Sequence, residues 1–168
     1  MKNIVLIGLP GCGKSTIGRI LSQKLKMNFY DLDEFIQELN KKTIEEMFDI
    51  SEEFFRNKET EAIEKMKNIN NSIIATGGGT VKKRKNMEML KRNSIIIYID
   101  RKVELIVEDI DEEKRPLLKG KKNNIFLLEK ERAPLYRLYS DITIENNKNI
   151  EEAIDKIMEQ LLLVNINN

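Results

Sequence analysis

Apolar positions along the chain follow two rhythms that alternate from one end to the other. Short apolar, largely β-branched runs occupy residues 4–7, 72–75, 94–99 and 142–144, with a smaller one at Asn28, Phe29 and Tyr30. The run at 4–7 has no polar interruption and stops at Gly8, which reads as a strand buried on both faces. The run at 94–99, with Ile95, Ile96, Ile97 and Ile99, is the most strongly β-prone and is expected as a central strand. Between these runs the spacing becomes helical: residues 14–26 place Ile17, Ile20, Leu21 and Leu25 on one face. Thr43 with Glu46 three positions on fits a capping box, and Ser51 ahead of Phe54 and Phe55 opens a longer helix towards Met66. Asn70 and Asn71 signal a turn. Further helices are predicted over 81–90, 102–110, 125–138 and from Ile150 to about Leu162, with 165–168 frayed.

Residues 111–123 break both rhythms. They are charged and contain Pro116 and Gly120, so they cannot bury themselves and are predicted to form a mobile surface loop. Strands alternating with helices predict an α/β fold, a parallel sheet with helices on both faces. With no repeat and no linker, residues 1–168 are expected to form a single domain.

Composition narrows the chemistry. A chain of 168 residues, 40% hydrophobic, can bury about two-thirds of its unfolded surface in one core. Lys and Arg total 29 against 28 Asp and Glu, a net charge of +1, which offers no footprint for nucleic acid or an acidic membrane surface. One cysteine, Cys12, cannot form an internal disulfide, and the absence of histidine excludes Cys/His zinc clusters and serine-histidine triads. Acid–base work must fall to carboxylates, lysine or tyrosine. The apolar run at the N-terminus is far too short to span a bilayer, so a cytoplasmic protein is expected.

Gly8-Leu9-Pro10-Gly11-Cys12-Gly13-Lys14-Ser15 matches G-x-x-x-x-G-K-[ST], and it stands directly after a buried strand and before a helix. Glycines let successive backbone N–H groups turn inward on a β-phosphate, and the helix adds its positive end. Lys14 is placed to reach the β/γ oxygens and the Ser15 hydroxyl to take one Mg²⁺ position. Cys12 lies inside this cradle, where a thiol has either a lowered pKa or merely the small size the turn requires.

The acceptor is signalled more weakly. Asp31 and Asp33 stand at the carboxyl end of the second strand, where open α/β sheets bind ligands, although isolated aspartates there are more often helix caps. Arg56 and Glu59 sit one helical turn apart, which by itself is an i,i+3 ion pair. Gly77, Gly78 and Gly79 after the third strand make either a plain turn or a close approach of backbone to ligand.

The ordered set of G-x-x-G-C-G-K-S-T, D-x-D, F-F-R-x-x-E, T-G-G-G, R-P-L-L and E-R-x-P-L-Y resembles the shikimate kinase family over nearly the whole chain. The resemblance implies a three-layer P-loop NTPase fold of the nucleoside monophosphate kinase type, with a five-stranded parallel sheet and a mobile lid at about 111–123. It implies transfer of the ATP γ-phosphoryl group to the 3-hydroxyl of shikimate, with Mg²⁺, on the route to chorismate and the aromatic amino acids. Gly11, Cys12, Gly13, Lys14, Ser15, Thr16 and Arg115 would then bind ATP, and Lys14, Asp33 and Arg115 would be catalytic. Arg56 and Arg132 would clamp the shikimate carboxylate, Asp33 would hold the acceptor hydroxyl, and the Gly77, Gly78 and Gly79 backbone would line the pocket. Ser15, and Asp31 through water, would hold the metal. A monomer with no nucleic-acid or membrane partner is implied. One departure stands out: the family usually carries a basic residue seven positions before the lid arginine, and here that position is Glu108. The rival readings are another small-metabolite kinase, such as gluconate kinase or a nucleoside monophosphate kinase, and a non-catalytic ATP-binding protein.

Overall fold

The computed structural model describes residues 2–109 and 122–166. The apolar runs form strands β1 (Asn3–Ile7), β2 (Asn28–Asp31), β3 (Ser72–Ala75), β4 (Ser94–Asp100) and β5 (Ile142–Glu145). All pair in parallel, in the order β2-β3-β1-β4-β5. β1 takes the middle of the sheet and is buried along its length, as its unbroken apolar run requires. β4 is paired on both sides, whereas the edge strand β5 alternates buried and exposed residues.

The helices are α1 (Lys14–Leu25), α2 (Leu32–Asn40), α3 (Ile44–Ile50), α4 (Glu52–Lys65), α5 (Arg84–Lys91), α6 (Val103–Asp109), α7 (Lys122–Tyr139) and α8 (Ile150–Ile166). They flank the sheet. Val5, Leu6, Ile7, Ile73, Ile96, Ile97 and Ile99 meet Ile17 and Leu21 of α1 and Ile154 and Ile157 of α8 in one core. Each such side chain removed from water contributes about 1.5–3 kcal/mol.

Four boundaries differ from the sequence expectation. α2 follows Asp31 directly and buries Leu32 and Ile36, an i,i+4 stripe that the sequence reading did not assign to a helix. The helix expected over 81–90 is interrupted, because Lys83 is extended (φ −101°, ψ 109°) between a 3₁₀ turn (Thr80–Lys82) and α5. The expected loop at 111–123 lies outside the described residues as far as 121, and Lys122 and Asn123 already belong to α7. α8 continues to Ile166, past the expected end near Leu162; the last two residues lie outside the described part. The capping box is present: Thr43 Oγ1 accepts from Glu46 N at 3.2 Å, and Glu46 Oε2 accepts from Thr43 N at 2.7 Å.

Register places the site. Asp31 pairs with Ala75, Leu6 with Ala75 and Ile97, and Asp100 with Glu145, so the carboxyl ends of the strands lie along one edge. The chain passes from β3 to β4 across β1, and a crevice opens at such a reversal of strand order.

Candidate active site

The loop after β1 is shaped by three glycines in backbone regions that other residues rarely adopt: Gly8 (φ 146°), Gly11 (φ 82°) and Gly13 (φ 101°). Gly8 also has no room for a side chain, since a Cβ would lie 2.6 Å from the Ile99 carbonyl oxygen and 2.8 Å from Cys12 Sγ. Gly13 caps α1, whose free N–H groups and dipole face the loop. Lys14 is buried, and its ammonium donates to the carbonyls of Gly8 (2.9 Å) and Leu9 (2.8 Å), 3.7 Å from Cys12 Sγ. Cys12 is wholly buried beneath the loop, in the tight space that the small-residue reading expects. Ser15 and Thr16 stand exposed on the first turn of α1.

Asp31 does two jobs. One oxygen caps α2, accepting from the N–H groups of Asp33 (3.0 Å) and Glu34 (3.5 Å). The other accepts the Ser15 hydroxyl at 2.6 Å. The capping expectation holds, and the same residue ties the start of α2 to Ser15. A hydroxyl beside a carboxylate is a hard-oxygen donor set that suits Mg²⁺, an ion that completes its shell with water and phosphate. Among the described residues no cluster of three or more carboxylate, thiol or imidazole groups offers another metal site.

Asp33, in the first turn of α2, is half-buried, and its carboxyl pKa is pushed up from 3.8 to about 6. Burial is the main cause, reinforced by the charges of Asp31 and Glu59 and opposed by Lys14 and Arg56. The carboxylate therefore lies within the electrostatic reach of both cations. Gly77 leaves it space, since a Cβ there would come 2.8 Å from Asp33 Oδ1.

Arg56 and Glu59 do form an i,i+3 pair on α4, but inside the protein. Arg56 Nη1 donates to both Glu59 oxygens at 3.1 and 3.0 Å, and Glu59 also accepts from Thr80 Oγ1 (2.7 Å) and Asn86 Nδ2 (3.3 Å). The guanidinium lies over Phe55, 5.0 Å from the ring centre. Gly79 packs against it, with 2.6 Å from an added Cβ to Arg56 Cζ. Gly78 packs equally closely on the Pro10 ring, so the triple-glycine loop joins Arg56 to the phosphate loop.

Arg132 is buried on α7, one turn before Tyr136. Tyr136 is fully buried, stacks on Tyr98 at 5.1 Å and donates its hydroxyl to the Gly78 carbonyl at 2.6 Å. Burial pushes this phenol far up, against the nearby charges of Arg132 and Arg56. Arg132 Nε is buried without a hydrogen bond, whereas Arg56 Nε lies 3.5 Å from Glu52 Oε1 in an ion pair.

Lys14, Ser15, Asp31, Asp33, Arg56, Arg132 and the three glycines are thus gathered at one end of the sheet. Arg115 lies outside the described residues, and Glu108 is exposed in the last turn of α6. The sequence reading gave no role to Tyr136, Thr80, Asn86 or Asn146. Tyr136 stood within a quoted motif; the other three act through partners 21 to 134 positions away, which no local pattern reveals. No described helix is long and apolar enough to cross a membrane.

A family model for shikimate kinase matches residues 10–162. The chain is 45% identical over 163 residues to a shikimate kinase from Clostridium beijerinckii, covering 96% of each protein. A solved structure of shikimate kinase from Acinetobacter baumannii in complex with shikimate superposes with a TM-score of 0.89 at 35% identity, covering 98% of this chain and 94% of that one. The structure of the Aquifex aeolicus shikimate kinase gives 0.81 at 34% identity, covering 95% of both.

Proposed function

The chain belongs to the shikimate kinase family, and from that premise we propose how its residues move the γ-phosphoryl group of ATP onto the 3-hydroxyl of shikimate. The observation that carries the reading is the position of Asp33, a carboxylate poised near pKa 6 that feels both the phosphate-loop cation Lys14 and the buried Arg56. A general base is most effective when its pKa lies near the working pH.

The backbone from Gly11 to Thr16 cradles the phosphates, and Lys14 leaves its carbonyl partners for the β/γ oxygens. Ser15, and Asp31 through water, would hold Mg²⁺, which would supply charge neutralisation at the phosphates. Arg56 and Arg132 engage the shikimate carboxylate through their planar guanidinium groups. The Gly77, Gly78 and Gly79 backbone lines the acceptor side. The 3-hydroxyl oxygen attacks the γ-phosphorus as the bond to the β-phosphate bridging oxygen breaks. Its proton passes to Asp33, and Arg115 balances the charge that develops on the phosphates. The products are 3-phosphoshikimate and ADP. All these residues come from one chain, so a monomer suffices.

ADP release measured with ATP and Mg²⁺ over a panel of acceptors tests the reading. Shikimate should support turnover, while gluconate and nucleoside monophosphates should support almost none. A rate on gluconate equal to or above that on shikimate would overturn it.

A further inference from the structure

We propose that Asn146 is a positioning residue for the phosphate loop, fixing the Cys12–Gly13 peptide so that the Gly13 N–H faces the polyphosphate. The inference rests on the reading of residues 8–15 as a phosphate cradle. Asn146 directly follows β5 and is wholly buried. Its own N–H donates to the Asp100 carbonyl at 2.8 Å, which fixes it to the end of β4. From there its side-chain amide reaches back across 134 positions and donates to the Cys12 carbonyl at 2.9 Å.

That bond controls more than one oxygen. No cis peptide occurs among the described residues, and in a planar trans peptide the carbonyl oxygen and the next residue's N–H point to opposite sides. Holding the Cys12 oxygen towards Asn146 therefore turns the Gly13 N–H away from it, into the concave side of the loop. The amide also occupies the space beside Gly13, where a Cβ would lie 2.9 Å from Asn146 Nδ2. Gly13 is thus held by its own left-handed backbone on one side and by Asn146 on the other.

The second amide atom shows that Asn146 is not simply filling space. Asn146 Oδ1 is buried with no hydrogen-bond partner, an unfavourable arrangement in a protein interior. A leucine would occupy nearly the same shape with no polar atom to desolvate. The residue's contribution therefore lies in its donor, and that donor is directed at the phosphate loop.

Isothermal titration calorimetry with Asn146→Leu and Asn146→Ala tests this, using ATP, inorganic tripolyphosphate and shikimate as separate probes with Mg²⁺ present. Asn146→Leu preserves the packing, and so provides a folded variant where Asn146→Ala does not. A hydrogen bond to a charged group misaligned rather than removed should weaken ATP and tripolyphosphate alike by about tenfold, leaving shikimate affinity within twofold. Three results would overturn the inference: unchanged ATP affinity, an equal loss for shikimate, or a loss for ATP with none for tripolyphosphate. The second marks general damage and the third a contact to the base. Failure of the activity reading is separable: wild-type protein that binds tripolyphosphate but releases no ADP in response to shikimate would refute that reading and leave the Asn146 comparison intact.

Discussion

Asp33 shows how one residue's surroundings set its chemistry. A solvated aspartate is ionised at any pH above about 4 and is a poor proton acceptor. Half-burial beside Asp31 and Glu59 raises its pKa to about 6, and only the charges of Lys14 and Arg56 hold it back. The group is then mostly ionised at neutral pH yet basic enough to take a hydroxyl proton. The expected outcome is a kcat/KM for shikimate that rises with pH through an apparent pKa of about 6, the value of the free protein's carboxyl. Asp33→Asn should lower kcat by about 10²- to 10⁴-fold, the usual range for a general base, and abolish that limb. A wild-type profile flat from pH 5 to 7 would remove Asp33 from the proton-transfer step.

Elements matter here through their ends. The loop after β3, the amino-terminal half of α4 and the later turns of α7 each deliver one part of the proposed acceptor side, and contacts between them set its dimensions. Gly79 has an ordinary backbone (φ −99°), so alanine is conformationally allowed there, but its Cβ would lie 2.6 Å from Arg56 Cζ. Arg56 cannot retreat freely while Nη1 bonds both Glu59 oxygens. Gly79→Ala should therefore displace the guanidinium, weaken shikimate about tenfold or more and lower the melting temperature by straining the buried Arg56–Glu59 pair, with ATP affinity nearly unchanged. Calorimetry showing normal shikimate affinity in that variant would mean that Arg56 does not meet the acceptor.

The same elements show what sequence can reveal. The five strands, α1 and the capping box at Thr43 follow from local periodicity and cap chemistry, which the folded chain obeys. α2 did carry a signal in Leu32 and Ile36, but its first residues read more readily as a pair of aspartates than as a helix start. The bonds of Tyr136 to Gly78 and Asn146 to Cys12 depend on distant partners, so nothing local announces them.

At the scale of the whole molecule, the composition makes the burial of Asp33 measurable. The chain has no histidine and a net charge of +1, so few groups change protonation between pH 5 and 8 and global charge repulsion stays small. Among the described residues Asp33 is the one carboxyl whose pKa is resolved as raised; Glu52 and Glu152 are lowered by lysine partners and remain ionised across this range. A carboxyl whose pKa is higher in the folded than in the unfolded chain binds its proton more tightly when folded. Its stabilising contribution is complete below the unfolded value near 3.8 and is lost as pH rises through about 6. The full shift corresponds to about 3 kcal/mol, of which about 1.4 kcal/mol falls between pH 5 and 8, the remainder being lost at lower pH. For a domain of this size, that is a fall in melting temperature of about 3–6 °C from pH 5 to pH 8. Asp33→Asn, neutral at every pH, should erase most of this slope and melt above the wild type at pH 8 even as it loses activity. The protein would then carry a stability cost at the group proposed as its base. Parallel melting curves for the two proteins across this range would show that Asp33 titrates at an ordinary carboxylate pKa, and the same result would withdraw the pH–rate expectation.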